Sequence, residues 1–140
     1  MLPSVEINYL AVLAAAIVSM AIGMAWYSEF LFGSMWMKLM GFTSKDIEKG
    51  KKEGMGKLML AAFVGSLVMS YILSLFIKYV QASTTLEGLE VGFWLWLGFL
   101  ATSMLNSVLW EGKPTKLYLI NVSHQLVSML AMSLILILWI

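Results

Sequence analysis

The stretch INYLAVLAAAIVSMAIGMAWYS, residues 7–28, carries no charge between Glu6 and Glu29, and its 22 residues decide the fold. A helix rises ~1.5 Å per residue, so ~20 apolar residues cross the ~30 Å hydrocarbon core of a bilayer. The same kind of run recurs three times. There are 20 uncharged residues between Lys57 and Lys78, 20 between Glu90 and Glu111, and 24 from Leu117 to Ile140, interrupted only by His124. Open strands would leave backbone groups unpaired in lipid, so each run is expected to be a helix. A cleaved signal peptide is the competing reading of the first run. Its leader, Met1 to Glu6, has no Lys or Arg and the run is too long, so a span is expected instead. The expected fold is all-α, a polytopic membrane protein of one domain over residues 1–140. Its four spans fall at about 7–27, 58–78, 91–110 and 117–139, with a cytoplasmic loop over 28–57.

Composition agrees. Apolar residues make up 61% and charged residues 12%, against roughly 45–50% and 25% in soluble domains. A chain of this length has no means of hiding so much apolar surface from water, which makes the lipid bilayer its expected partner. A net charge of +1 offers no basic field for nucleic acid, and the absence of Arg removes the bidentate phosphate clamp. Without Cys there is no disulfide or thiolate, and a single His cannot make a zinc site. No cofactor and no metal are expected.

Lysines assign the sides. Lys38, Lys45, Lys49, Lys51, Lys52 and Lys57 fall in the first loop, and Lys113 and Lys116 in the third. The second loop, Gln81 to Glu90, has only Lys78 at its edge. The positive-inside rule then places residues 28–57 and 111–116 in the cytoplasm and both termini outside, in a cell (inner) membrane. Trp26, Tyr27, Trp36, Trp110 and Tyr118 would line the cytoplasmic interface, and Tyr9, Tyr79, Phe93, Trp94 and Trp139 the outer one. Within loop one, Phe32, Met35, Trp36, Leu39 and Met40 recur at helical spacing, which predicts a short interfacial helix over Ser34 to Phe42. Thr43 followed by Asp46 resembles a capping box that opens a polar turn or helix through Lys52.

Two rows of small residues point to close helix packing. Ala11, Ala15, Ser19 and Gly23 follow one another at four-residue intervals in the first span, as do Ala62, Ser66, Ser70 and Ser74 in the second. Such rows let backbones approach, either within the chain or between two copies, and self-association is therefore expected. A polar cluster is the other candidate site. Asn121, His124, Gln125 and Ser128 share an arc of ~100° on the fourth span. Gly98, Thr102 and Asn106 share a face of the third, and Glu29 and Glu111 mark the same side of the membrane. The short connection between spans three and four makes them antiparallel neighbours, so these groups should gather in the cytoplasmic leaflet. They act either as interhelical hydrogen bonds or as a wet pocket for a proton or an unknown ligand. His124 is expected to share a network with Asn106 or Asn121. Asn121-Val122-Ser123 matches a glycosylation sequon but lies inside a span, where chance is the better account.

Trp26-Tyr27-Ser28 with Leu31-Phe32-Gly33 and Trp36 resembles the signature of the domain-of-unknown-function family numbered 1761. So do Trp110-Glu111-Gly112-Lys113-Pro114, Leu119-Ile120-Asn121, His124-Gln125-Leu126-Val127 and Trp139. The resemblance covers nearly the whole chain and implies a small prokaryotic four-span membrane protein. It implies no activity, substrate or catalytic residue.

Three functions are compatible with these residues. In descending order they are a non-enzymatic homo-oligomeric helix bundle, a small transporter or channel with a cytoplasm-facing polar site, and a membrane-embedded enzyme. The last lacks a nucleophile, metal set or carboxylate pair in its spans. For transport, the outer half of the fourth span offers only Ser133.

Overall fold

A computed structural model describes residues 1–139. Four long apolar helices, each long enough to cross a membrane, account for most of them: α1 (Tyr9–Trp26), α3 (Ser44–Tyr79), α4 (Thr85–Leu109) and α5 (Thr115–Leu138). A short helix, α2 (Gly33–Met40), lies between the first two. There is no strand among the described residues.

Local chemistry sets the helix ends. Asn8 caps α1, its side chain accepting from the amides of Leu10 and Ala11 at 3.1 and 3.2 Å. Gly41 ends α2 with φ 76°, a left-handed conformation that favours glycine. Thr43 and Asp46 form the expected capping box. The helix it opens does not stop at Lys52. It bends at Gly54, where φ is 152°, and continues through the second span.

The helix of span three likewise begins before the uncharged run. Residues 85–90, expected in a loop, form the first turns of α4 because Thr84 and Glu87 build a second capping box. The box satisfies the first free amides, so the helix no longer has to begin inside the lipid.

α5 is the central helix. In its most apolar stretch 44% of residues are buried, against 17% to 22% in the other three spans. It packs against α1 on one side and α4 on the other, while α3 lies along α1. Spans three and four are thus neighbours, as their short link requires.

The tightest packing lies in the half of the bundle that holds the chain termini. Ala11, Val12 and Ala15 of α1 meet Leu73 and Ile77 of α3 and Met129, Met132, Leu136 and Ile137 of α5. Ser70 of α3 donates to the carbonyl of Val12 at 2.9 Å. The α4–α5 crossing rests on Gly88 and Gly92. A Cβ at Gly88 would stand 2.6 Å from Cβ of Ile137, and one at Gly92 would overlap Oγ of Ser133. Gly88 and Gly92 are four residues apart, the spacing that lets membrane helices touch backbone to backbone.

α4 also contains one turn of π-helix, Trp96–Ala101. Such a turn leaves carbonyls without their usual partner, a cost in lipid that nearby hydroxyls offset. Thr102 donates to the carbonyl of Gly98 at 2.7 Å and Tyr118 of α5 to that of Ala101 at 2.8 Å. Ser103 donates to the carbonyl of Phe99.

Candidate functional site

The residues that end α1 form a compact aromatic knot. After Trp26 the chain turns sharply, with the amides of Phe32 and Gly33 donating to the carbonyls of Trp26 and Ser28, both at 2.9 Å. Only glycine fits at residue 33, since a Cβ would lie 2.5 Å from the carbonyl oxygen of Tyr27. The turn folds α2 back onto α5. The rings of Trp26 and Phe32 then lie 5.0 Å apart, those of Tyr27 and Trp36 5.7 Å, and those of Trp36 and Phe42 5.5 Å.

The knot grips α5 through polar edges. The indole of Trp26 donates to the carbonyl of Ile120 at 2.9 Å, and that of Trp96, on α4, to the carbonyl of Val122 at 2.9 Å. Between them the hydroxyl of Tyr27 donates to Oδ1 of Asn121 at 2.6 Å. Three consecutive residues of α5 are thus held from two neighbouring helices. Trp26, Tyr27 and Tyr118, expected at the membrane interface, all turn their polar atoms into the bundle. An indole or phenol inside lipid needs an acceptor, and helix carbonyls have a second lone pair to offer.

His124 sits just beyond, its ring 5.2 Å from that of Tyr27 and 6.2 Å from that of Trp26. Its Nε2 is buried and has no hydrogen-bond partner among the described residues. A Cβ on Gly23 would stand 3.3 Å from that atom, so the glycine leaves room for the imidazole.

Beside His124 runs a cleft of about 440 Å³ between α1, α3 and α5. Ser19, Gly23, Ala62, Gly65, Ser66, His124 and Gln125 line it together with Met20, Met24, Met59 and Met69, and none is a charged residue. At its deep end Ser19 and Ser128 share a buried hydrogen bond of 2.6 Å. The two small-residue rows therefore serve two purposes. Ala11, Ala15, Ser70 and Ser74 are buried in helix packing, whereas Gly23, Ala62 and Ser66 border the cleft.

Not all the expected polar residues come together. Asn121, His124, Gln125 and Ser128 do lie along the α1 side of α5, but Glu29, Asn106 and Glu111 are exposed. His124 bonds neither Asn106 nor Asn121. Asn121 is taken by Tyr27, and Asn106 faces away because of the π turn. Counting regular turns from Gly92, on the α5 side, would bring Asn106 back to that side. The extra residue in the π turn shifts the face by ~100° and brings Ala101, Met104 and Ser107 inward instead. The sequence signals missed were Gly88, hidden by the loop assignment, its partner Gly92 one turn on in the span, and the donor groups of Trp26, Tyr27 and Trp96.

Four membrane-length helices, with α5 at their centre and almost all the folded mass in the spans, define a small multi-pass membrane protein. More particularly, the chain belongs to the family described as Protein of unknown function (DUF1761), whose model matches residues 10–137. No curated protein and no solved structure matches it. Part of the motif of that resemblance builds the knot: Trp26, Tyr27, Phe32, Gly33 and Trp36 on one side, Asn121 and His124 on the other.

Proposed function

We propose that this chain is a non-enzymatic helix-bundle module of the cell membrane that works as a homo-oligomer, with its termini outside and its lysine-rich loops in the cytoplasm. The observation that carries self-association is the outward face of α4. Gly98, Thr102 and Asn106 lie at four-residue spacing and all are exposed. A Cβ at Gly98 would meet nothing within 4 Å. An amide exposed within a span is costly unless something polar covers it. Asn carries both donor and acceptor, so two copies related by a two-fold axis satisfy one another, and Gly98 lets their backbones approach. The small-residue rows of α1 and α3 are divided between packing inside the chain and the border of the cleft, which makes α4 the better interface.

Transport through one copy is less well supported. A conduit needs polar groups across the membrane. In the terminal half of the bundle, Ala11, Ala15, Leu73, Ile77, Met132 and Leu136 are packed together instead.

Energy transfer between labelled copies in vesicles, followed as lipid is added, tests the proposal. Gly98→Leu should shift dissociation to at least tenfold lower dilution, while Ala61→Leu on the exposed side of α3 should leave it in place. A chain that is monomeric at every dilution, or a Gly98→Leu variant that associates like the parent, would overturn the proposal.

A further inference from the structure

We propose that the cleft between α1, α3 and α5 is a binding site for a neutral lipophile with a carbonyl head. This goes beyond self-association and does not depend on it.

The cleft lies at hydrocarbon depth. His124 is nine residues beyond Thr115, the first residue of α5, or ~13 Å along the helix. Its volume, about 440 Å³, falls within the ~300–1,000 Å³ of small-molecule sites. It is open on one side, where Met24, Ala62 and Gly65 are exposed, so a molecule dissolved in the membrane enters without crossing water.

Chemistry selects the occupant. Ser66, His124 and Gln125 line the cleft, and no side-chain hydrogen bond involves them among the described residues. Each can donate a hydrogen bond as well as accept one, so a carbonyl head, which only accepts, can be held by any of the three. Unmet polar groups in a low-dielectric site are costly, so an occupant that supplies an acceptor is held more firmly than a plain alkyl chain. The lining carries no charged residue to neutralise an ionised head, which favours a neutral molecule. The apolar body rests on Met20, Met24, Met59 and Met69, whose unbranched side chains adapt to irregular shapes.

His124 is the one histidine of the chain, so a selectively labelled imidazole gives a single NMR signal. The probes are a twelve-carbon methyl ketone and dodecane, added to the full chain in nanodiscs. The ketone should displace the signal saturably, whereas dodecane should not. Ala62→Phe, which fills the cleft from its exposed side, should abolish the ketone-induced displacement, measured from that variant's own unliganded signal. Should that variant misfold, Gly65→Leu makes the same test, since a Cβ there meets nothing within 4 Å.

No saturable displacement, an equal response to dodecane, or a response that survives a folded cleft-filling variant would each overturn the proposal. So would a signal that moves on protein dilution and ignores the ketone, because a second copy would then fill the cleft. That last result would leave self-association standing. A monomer that binds the ketone would defeat self-association alone.

Discussion

Gly92 and Ser133 provide a quantitative test of the α4–α5 crossing. In Gly92→Ala the new methyl overlaps Oγ of Ser133 and stands 3.1 Å from both Cβ of Ser133 and the carbonyl oxygen of Met129. Forcing a methyl into a packed site costs ~1–3 kcal/mol. In water a helix-interior Gly→Ala change would return ~1 kcal/mol in propensity. In lipid a detached α4 stays helical to pair its own backbone, so that gain largely falls away. The net expectation is a loss of about 1–3 kcal/mol. Ser133→Ala behaves differently. Its hydroxyl is fully buried with no partner among the described residues, so removing it should be neutral or stabilising. With Oγ gone, the alanine methyl has only the 3.1 Å contacts to relieve, which a shift of a few tenths of an ångström achieves. The double mutant should therefore recover at least ~1 kcal/mol relative to the sum of the singles, a coupling typical of residues in contact. Reversible unfolding by SDS in mixed micelles, followed by tryptophan fluorescence, measures all four corners of the cycle. A Gly92→Ala chain as stable as the parent, or a Ser133→Ala background that gives no relief, would refute the close crossing.

Two further outcomes are expected. A cysteine at Lys51→Cys, in a chain otherwise free of Cys, should resist impermeant thiol reagents from outside and react after permeabilisation; external labelling would reverse the assigned topology. Glu87 accepts hydrogen bonds from the amides of Ser83 at 2.6 Å and Thr84 at 3.3 Å, and these hold its carboxyl below the usual carboxylate range. A depressed folded value means the contribution to stability is complete above the usual range and is lost as pH falls through the lowered value. Amide exchange at the start of α4 should accelerate over that window in the parent and less in Glu87→Gln, and an identical acid response in both would remove Glu87 from the cap.

The spans were legible because charge is the coarsest signal in a membrane chain. The cost of burying a lysine or glutamate fixes the run lengths with little help from packing. The short helix after α1 and the Thr43–Asp46 cap were legible for a local reason, since the first rests on spacing over about two turns and the second on residues within one. Thr84–Glu87 has the same local signature, but it lay beyond the apolar run that marked the span. Partner choice was harder to read. Tyr27 shows in sequence only as an interfacial aromatic, and its bond to Asn121 depends on Gly33 turning α2 over the helix end. Asn106 was misplaced by one residue of π-helix, which leaves composition and hydropathy untouched.

That one-residue offset ties the architecture together. The regular part of α4 sets Gly88 and Gly92 against α5 at the terminal end of the bundle. A strictly α-helical continuation would bring Gly92, Phe99 and Asn106 onto a single face, aiming an amide at α5 where Tyr118 and Leu117 now lie. The π turn replaces that face with Ala101, whose carbonyl receives the hydroxyl of Tyr118, and sends Asn106 outward. It also coincides with Trp96, whose indole holds Val122 from the side opposite Trp26. The same irregularity therefore braces α5 beside His124 and exposes a polar stripe on the outside. In this arrangement the outward face of α4 follows from a single helical defect, whereas the cleft lies on the far side of α5, between α1, α3 and α5, where α4 contributes no lining residue.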